Sequence, residues 1–111
     1  MATNRLKKHQ KAILAVLHSH EYADAKVQSV CLADMQKHHY QLVLLGLDKN
    51  NASYIWIRVH IQLKEDGKIW ILENRTEYEI DTELEAEGIK KVDIVLGLLP
   101  EHVRKYSAYG N

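Results

Sequence analysis

The sequence has a single cysteine, five glycines that stand apart from one another, and no apolar run longer than a few residues. One cysteine excludes a disulfide framework within the monomer, and a cytoplasmic location is expected because no convincing export signal is present. The isolated glycines exclude a glycine-rich phosphate-binding loop. The apolar runs fall far short of the roughly 20 residues that a membrane-spanning helix needs, so no membrane attachment is expected.

Net charge is lacking as well, because 15 lysine and arginine residues balance 15 aspartate and glutamate residues. Proteins that grip DNA by its phosphates usually carry a basic excess, so direct nucleic-acid contact is expected to be weak or absent. The chain is 46% hydrophobic and 27% charged, which is typical of a folded protein and argues against disorder. Its 111 residues predict one domain, spanning 1–111.

Periodicity predicts helices near both ends of the chain and a block of strands between them. The predicted helices are Thr3–His20, Glu77–Glu87 and Glu101–Tyr106, and the predicted strands are Ala25–Ala33, His39–Leu47, Ser53–Glu65 and Lys68–Glu73. Strands that cluster together between helices are typical of the α+β class. We therefore expect a single α+β domain with an antiparallel four-stranded sheet, whose N-terminal helix and C-terminal helices pack mainly on one face.

The segment Ser53–Glu65 alternates strictly between apolar and mixed residues, which is the clearest strand signal in the chain. The predicted core face carries Ile55, Ile57, Val59, Ile61 and Leu63, and the mixed face carries Tyr54, Trp56, Arg58, His60, Gln62 and Lys64. Asp66 and Gly67 predict a two-residue hairpin turn, which would place Trp70 and Leu72 of the next strand on the Trp56 face.

Turn and cap signals mark the second half of the chain. Thr76 and Glu79 match a capping box before the second helix. Gly88 predicts the left-handed residue that ends this helix, and Ile89 the hydrophobic residue that folds back on it. The segment Val92–Leu99 is expected to be extended or turn-like, and Pro100 suits the start of a short last helix.

No residues form a recognisable catalytic or metal-binding pattern. The close histidine pairs, His18 with His20 and His38 with His39, lack the third and fourth ligands that zinc needs, so surface or turn roles are favoured and no metal is expected. Cys31 lies in a predicted strand and is expected to be buried and inert rather than a nucleophile. We expect no catalytic residues, no cofactor and no enzymatic activity.

The mixed face of the strand Ser53–Glu65 is the feature that points to function. Tyrosine, tryptophan and arginine are enriched at interface hot spots. The predicted partner-binding residues are therefore Tyr54, Trp56, Arg58, His60 and Trp70. The competing interpretation is that a helix covers this face, although one or two helices cover only part of a four-stranded sheet. An exposed aromatic face also favours self-association, and a homodimer is one expected outcome.

Several short motifs, taken in order, resemble the XisI-like family over roughly residues 5 to 107. They are His39-Tyr40-Gln41-Leu42, Asp66-Gly67-Lys68-Ile69-Trp70-Ile71, Thr76-Glu77, Glu83-Leu84, Gly88-Ile89, Asp93-Ile94-Val95-Leu96-Gly97 and Arg104-Lys105-Tyr106. Each motif is weak alone, whereas the ordered combination is specific. The chain departs from the family pattern at Leu47, where tryptophan is common, at Lys90, where proline is common, and at Trp56.

The resemblance implies an fdxN-element excision controlling factor, a cyanobacterial protein of programmed DNA rearrangement during heterocyst differentiation. Such factors act alongside a site-specific recombinase and a companion, XisH, which looks like a nuclease-fold protein. The resemblance carries over no catalytic residue. It adds Arg104, Lys105 and Tyr106 as a second candidate contact segment, because these residues match the family pattern.

The sequence is therefore interpreted as a non-enzymatic controlling factor that acts by protein–protein contact with an XisH-like partner. One alternative is a direct DNA-binding accessory protein, which requires a single basic surface made of Arg58, Lys64, Lys68, Lys90, Lys91, Arg104 and Lys105. A second alternative is a metal-dependent nuclease or hydrolase that uses acids near Glu65 and Asp66.

Overall fold

The computed structural model describes residues 4–105 and 109–110. In chain order the helices and strands are α1 (Asn4–His18), β1 (Tyr22–Ala23), β2 (Val27–Asp34), β3 (His39–Leu47), β4 (Ser53–Leu63), β5 (Ile69–Asn74), α2 (Ile80–Ala86), a 3-10 helix (Lys91–Asp93), β6 (Ile94–Val95) and α3 (Glu101–Arg104). The α+β class, the N-terminal helix and the four long strands agree with the sequence-based expectation. Tyr106, at the end of the predicted last helix, lies outside the described residues.

The sheet has six strands in the order β1-β2-β3-β4-β5-β6, so the prediction of a four-stranded sheet is wrong. Strands β1 to β5 pair antiparallel, and β6 pairs parallel to β5. The two added strands, β1 and β6, have only two residues each, which is too short to give an alternating pattern. The parallel pairing of β6 follows from the α2 crossover that separates it from β5.

Helices α1 and α2 pack on one side of the sheet, which we call the helix face; the other side is the open face. Ile13 and Leu17 of α1 and Leu84 of α2 are fully buried there. They join Tyr40, Leu42, Val59, Ile61, Ile69 and Ile71 of the sheet in one core cluster. Burial of this apolar surface is the main favourable term in folding.

Helix α3 packs on the open face, so the C-terminal helices do not share one side of the sheet as predicted. Ile69 and Ile71 belong to the core on the helix face, and strand alternation therefore turns Trp70 to the open face. The Arg104 guanidinium of α3 lies 5.3 Å from the centroid of the Trp70 ring. Four residues of helix present too little apolar surface to reveal this placement in the sequence.

The hairpin between β4 and β5 has a three-residue loop, which corrects the predicted two-residue turn. The Gly67 N–H donates to the Lys64 carbonyl, and the Lys64 N–H donates to the Lys68 carbonyl. Gly67 has φ +87°, whereas Asp66 does not have positive φ. This is a type I turn followed by a left-handed residue, which needs only one position free of a Cβ. The buried His9 ring of α1 donates from Nδ1 to the Gly67 carbonyl at 2.5 Å, which ties the helix to the loop.

Helix α2 begins at Ile80, three residues after the predicted start, and the capping-box prediction is wrong. Thr76 Oγ1 accepts the Tyr78 N–H and donates to the Asn74 side chain, so Thr76 closes a turn before the helix. The residue before the helix, Glu79, makes no side-chain cap hydrogen bond. A threonine side chain bonds to nearby backbone in turns as readily as at helix starts, and this explains the misassignment.

The predicted end of α2 is confirmed. Gly88 has φ +93°, its N–H donates to the Glu85 carbonyl, and the Ile89 N–H donates to the Leu84 carbonyl. These two bonds are those of a Schellman motif. Ile89 and Leu84 are both buried in the core, so the hydrophobic contact that accompanies the motif is present as well.

A bulge divides β4 into two halves. Val59 pairs with Leu42 and Ile57 pairs with Val43, so Arg58 is an extra residue with no partner of its own on β3. Because Leu42 and Val43 point to opposite faces, Val59 lies on the helix face and Ile57 on the open face. The bulge thus reverses the alternation for the N-terminal half of the strand.

The prediction that Ile55 and Ile57 belong to the core is therefore wrong. Ile55 and Ile57 are 70% and 45% exposed, whereas Val59 and Ile61 are fully buried. The same reversal places Tyr54 and Trp56 on the helix face, opposite Gly46 and Leu44. No described helix is both long enough and apolar enough to cross a membrane.

Candidate protein-interaction surface

The predicted contact residues Tyr54, Trp56 and Arg58 lie together on the helix face, beyond the reach of α1 and α2. The helices cover the Val59–Leu63 half of β4, whose helix-face residues are buried. The sheet extends past them at the Ser53–Ile57 half, where Trp56 is 61% exposed. The strand thus carries its aromatic residues out of the core and into a surface position.

These three residues line a depression of about 670 Å³, which we call the aromatic groove. Its floor and walls come from β1, β2, β3 and β4, with Tyr22, Val27, Leu44, Tyr54, Trp56 and Arg58 in the lining. The Tyr54 and Trp56 rings lie 4.8 Å apart between centroids. The Tyr54 ring covers Gly46, where a Cβ atom would collide with the tyrosine hydroxyl. This covering of a strand glycine by an aromatic ring fixes the position of Tyr54.

Arg58 is held by a stack of side chains at one end of the aromatic groove. Its guanidinium lies 5.9 Å from the Tyr78 ring centroid. The Tyr78 ring stacks on His20, with centroids 3.7 Å apart and planes 13° apart, and the His20 Nε2 lies 2.6 Å from Glu83 Oε1. A guanidinium packed on an aromatic face loses little freedom when it meets a partner group.

His60, also a predicted contact residue, lies on the open face and not in the groove. Gln41 Nε2 donates to His60 Nδ1 at 2.9 Å, and His60 Nε2 then donates to His39 Nδ1 at 2.8 Å. This arrangement uses the neutral imidazole, which has one donor and one acceptor nitrogen. Burial, and in second place the nearby His39, lowers the pKa of His60 below its ordinary value of 6.5. His60 is thus a member of a polar network on the sheet.

Trp70 is separated from Trp56 by the thickness of the sheet, so the prediction of a single face carrying both tryptophans is wrong. Trp70 is half-buried between the Lys64 ammonium, 3.9 Å from its ring centroid, and the Arg104 guanidinium. Arg104 also donates to the Leu99 carbonyl at 2.7 Å. Trp70 and Arg104 therefore anchor α3 to the open face. Lys105 is exposed beside them, and Tyr106 lies outside the described residues.

The surroundings of Cys31 and Asp66, two residues considered for catalysis, are defined in the structure. Burial, with the Glu21 charge in second place, raises the pKa of the Cys31 thiol to about 11, so the thiol is protonated at neutral pH. Asp66 Oδ1 accepts the Lys68 N–H at 2.9 Å within the hairpin loop. Among residues 4–105 and 109–110, no three histidine, cysteine or acidic side chains are grouped in a way that could hold a metal ion.

The basic residues required for a single DNA-binding surface do not all lie on one side of the molecule. Arg58 lies on the helix face, whereas Lys64 and Arg104 contact Trp70 on the open face. The Lys91 ammonium lies 3.9 Å from the Glu85 carboxylate. A surface that tracks a phosphate backbone needs such cations on one side of the molecule.

Sequence reasoning missed the other side of the aromatic groove. Tyr22 lies in the two-residue strand β1 and pairs with Ser29, which places it beside Val27. A strand this short has no detectable period, and its edge position follows only from tertiary pairing. The Asp24 side chain, which accepts the N–H groups of Lys26 and Val27, was the available signal for a turn at this point.

Comparison with known proteins identifies the relatives of this chain. The family model described as XisI protein matches residues 3–111. An XisI-like protein from Anabaena variabilis superposes with a TM-score of 0.82 and 30% identity, covering 95% of this chain and 97% of its own. The fdxN element excision controlling factor XisI from the same organism superposes with a TM-score of 0.77 and 23% identity, covering 96% and 98%.

A search of the curated proteins finds no match. The family model nevertheless spans nearly the whole chain, and the 30%-identical structure shares the fold over nearly its whole length. The chain therefore belongs to the XisI protein family.

Proposed function

We propose that this chain is a non-enzymatic controlling factor for excision of a DNA element, acting through contact with an XisH-like companion protein. Membership of the XisI family supports the link to excision control, since one similar structure carries that description. The observation that carries the mode of action is the aromatic groove. There an exposed tryptophan, a tyrosine and an arginine share one concave surface.

The composition of the groove suits a protein partner. Tryptophan, tyrosine and arginine are the residues most enriched at interface hot spots, and they act best where a partner can exclude water around them. Trp56 is 61% exposed, so its apolar surface is available for burial. The contacts of Tyr54 with Gly46 and of Arg58 with Tyr78 hold both side chains in place, which reduces the entropy lost on binding.

A non-enzymatic role is supported by the state of the reactive groups. Cys31 is protonated at neutral pH, and His60 is engaged at both ring nitrogens. Asp66 serves a hairpin loop. General acid–base catalysis requires a titratable group within reach of a bound substrate, and the groove lining offers no carboxylate, histidine or cysteine.

The proposal is tested by measuring the affinity between the purified chain and its XisH-like companion, for wild type and Trp56→Ala. We expect a loss of about thirtyfold or more, corresponding to the roughly 2 kcal/mol of a hot-spot residue. Leu32→Ala is the matched control, because Leu32 is 51% exposed but lies on the open face of β2. This variant should bind like wild type.

Trp70→Ala separates the two tryptophans in the same assay. Trp70 holds α3 rather than lining the groove, so this variant should bind the companion nearly as well as wild type while its C-terminal segment loosens. If the wild-type chain shows no binding, or if Trp56→Ala binds like Leu32→Ala, the proposed partner contact is contradicted. Circular dichroism on every variant establishes that the fold is retained.

A further inference from the structure

The N-terminal half of β4 has a free backbone edge. Strand β5 pairs with β4 only between Val59 and Leu63, and the last bond on that side joins the Arg75 N–H to the Arg58 carbonyl. Residues Ser53 to Ile57 pair with β3 on one side, and on the other side no described strand pairs with them. This edge is five residues long, close to a typical strand length.

The hydrogen-bonding pattern of the β3–β4 hairpin shows which backbone N–H and C=O groups point away from β3 at this edge. The Asp48 N–H donates to the Ala52 carbonyl, so this pair is of the hydrogen-bonded kind. Hydrogen-bonded pairs alternate with non-hydrogen-bonded pairs along an antiparallel ladder. Tyr54 and Trp56 therefore bond to β3, whereas the N–H and C=O groups of Ser53, Ile55 and Ile57 point away from it.

The residues of this segment lack the features that protect other sheet edges, and the nearby charge is that of Arg75 at the Ile57 end. Natural edges are usually short, charged, interrupted by proline or covered. The segment Ser53-Tyr54-Ile55-Trp56-Ile57 contains no charge, proline or glycine. By contrast, β1 has two residues and is followed by Asp24, and β6 has two residues and is bridged by Gly110.

Depressions lie on both sides of the free edge. The aromatic groove borders it on the helix face, and a second depression of about 560 Å³ borders it on the open face. The second depression is lined by Ile55, His60, Leu72 and Glu73, and Trp56, Ile57 and Arg75 line both depressions. A strand added to this edge would alternate its side chains between the two depressions.

We propose that the free edge of β4 pairs antiparallel with the same edge of a second copy of this chain, about a two-fold axis at Ile55. Ser53 then pairs with Ile57 of the second copy, and Ile55 pairs with its own counterpart. All outward N–H and C=O groups of the segment are satisfied in this register, giving six hydrogen bonds from the three pairs. The inference goes beyond the proposed function and its test uses the chain alone; because Tyr54 of the second copy lies opposite Trp56, self-pairing and companion binding share the Trp56 side of the aromatic groove.

A second copy fits this edge because the segment is its own complement. The outward groups are symmetric about Ile55, which is what a two-fold interface requires. On the helix face Tyr54 lies opposite Trp56 of the second copy, and on the open face isoleucine meets isoleucine, both of which are favourable cross-strand pairs. The formal charge of zero adds no long-range repulsion between copies. Two six-stranded sheets become one continuous sheet.

The test measures the mass of the purified chain alone by sedimentation equilibrium, for wild type, Ile55→Lys and Ile55→Glu. Wild type should show twice the monomer mass of 12.9 kDa. Each charged variant should be monomeric, because like charges meet at the axis. An equimolar mixture of the two variants should recover the dimer, because opposite charges then face each other.

Leu32→Lys is the control, since it adds a charge to the open face away from the edge and should remain dimeric. A monomeric wild type at every accessible concentration would overturn the proposal. Dimeric Ile55→Lys and Ile55→Glu proteins would overturn it equally. Failure of the mixture to recover the dimer, with both variants folded, would rule out the register centred on Ile55.

Discussion

The two halves of β4 have similar residues in different surroundings. In the half from Val59 to Leu63, Ile61 is fully buried between two neighbouring strands and beneath the helices. In the half from Ser53 to Ile57, Ile55 is 70% exposed and has a neighbour on one side only. An apolar alternation thus predicts a strand correctly, but what covers each face depends on how far the adjacent elements extend.

The largest difference in stability between the two halves is expected when one isoleucine in each half is replaced by alanine. Ile61→Ala should lower the free energy of unfolding by about 2–5 kcal/mol, because it leaves a cavity in a close-packed core. Ile55→Ala should change it by no more than about 0.5 kcal/mol. Urea unfolding of dilute chain, where association does not contribute, measures both values. Equal losses in the two variants would mean that the halves are equally covered.

Deletion of Arg58 is expected to have an intermediate effect on the free energy of unfolding. Because Arg58 is the extra residue of the bulge, its deletion leaves Ile57 opposite Val43 and Val59 opposite Leu42. The free energy of unfolding should fall by about 1–2 kcal/mol, because the hydrogen bond between the Arg58 carbonyl and the Arg75 N–H is lost. Thermal unfolding followed by circular dichroism measures it.

Deletion of Gln62 is the contrasting change, because it moves Leu63 from the helix face to the open face and should prevent folding. If loss of Arg58 is as damaging as loss of Gln62, the bulge is not what divides the strand. The pair of deletions therefore tests the register directly.

The smallest effect on stability is expected at His60, which lies in the Val59–Leu63 half of β4 but on the open face. Its pKa is lowered in the folded chain, chiefly by burial, so the unfolded chain takes up the proton first as the pH falls below about 6.5. Stability should therefore decrease as the pH falls through this region. The decrease should be smaller in His60→Gln, as measured by urea unfolding at pH 7.5 and below. The same slope in both proteins would remove His60 as its cause.

The parts of the fold that the sequence predicted are those governed by local chemistry. The four long strands follow from alternation, and the end of α2 follows from Gly88, which adopts the left-handed conformation that a side chain disfavours. The two-residue strands and the parallel pairing of β6 were not predictable, since they depend on contacts between distant segments. The bulge at Arg58 has no signature in a single sequence either.

The same limit explains which of the predicted contact residues share one surface. Tyr54, Trp56 and Arg58 were correctly grouped, because they lie on one strand within five residues of one another. Trp70 was grouped with them wrongly, because the bulge lies between Trp56 and the part of β4 that Trp70 faces. One extra residue in a strand therefore exchanges the faces of everything on its far side.

The placement of the two tryptophans gives the chain two separate fluorescent reporters. In the dilute, unpaired chain, Trp56, 61% exposed, should emit at long wavelength and be quenched readily by acrylamide. Trp70, enclosed by Lys64 and Arg104, should emit at shorter wavelength and resist quenching while α3 is docked. With no other tryptophan in the sequence, a spectrum resolved by quenching reports the state of each side of the sheet without any added label.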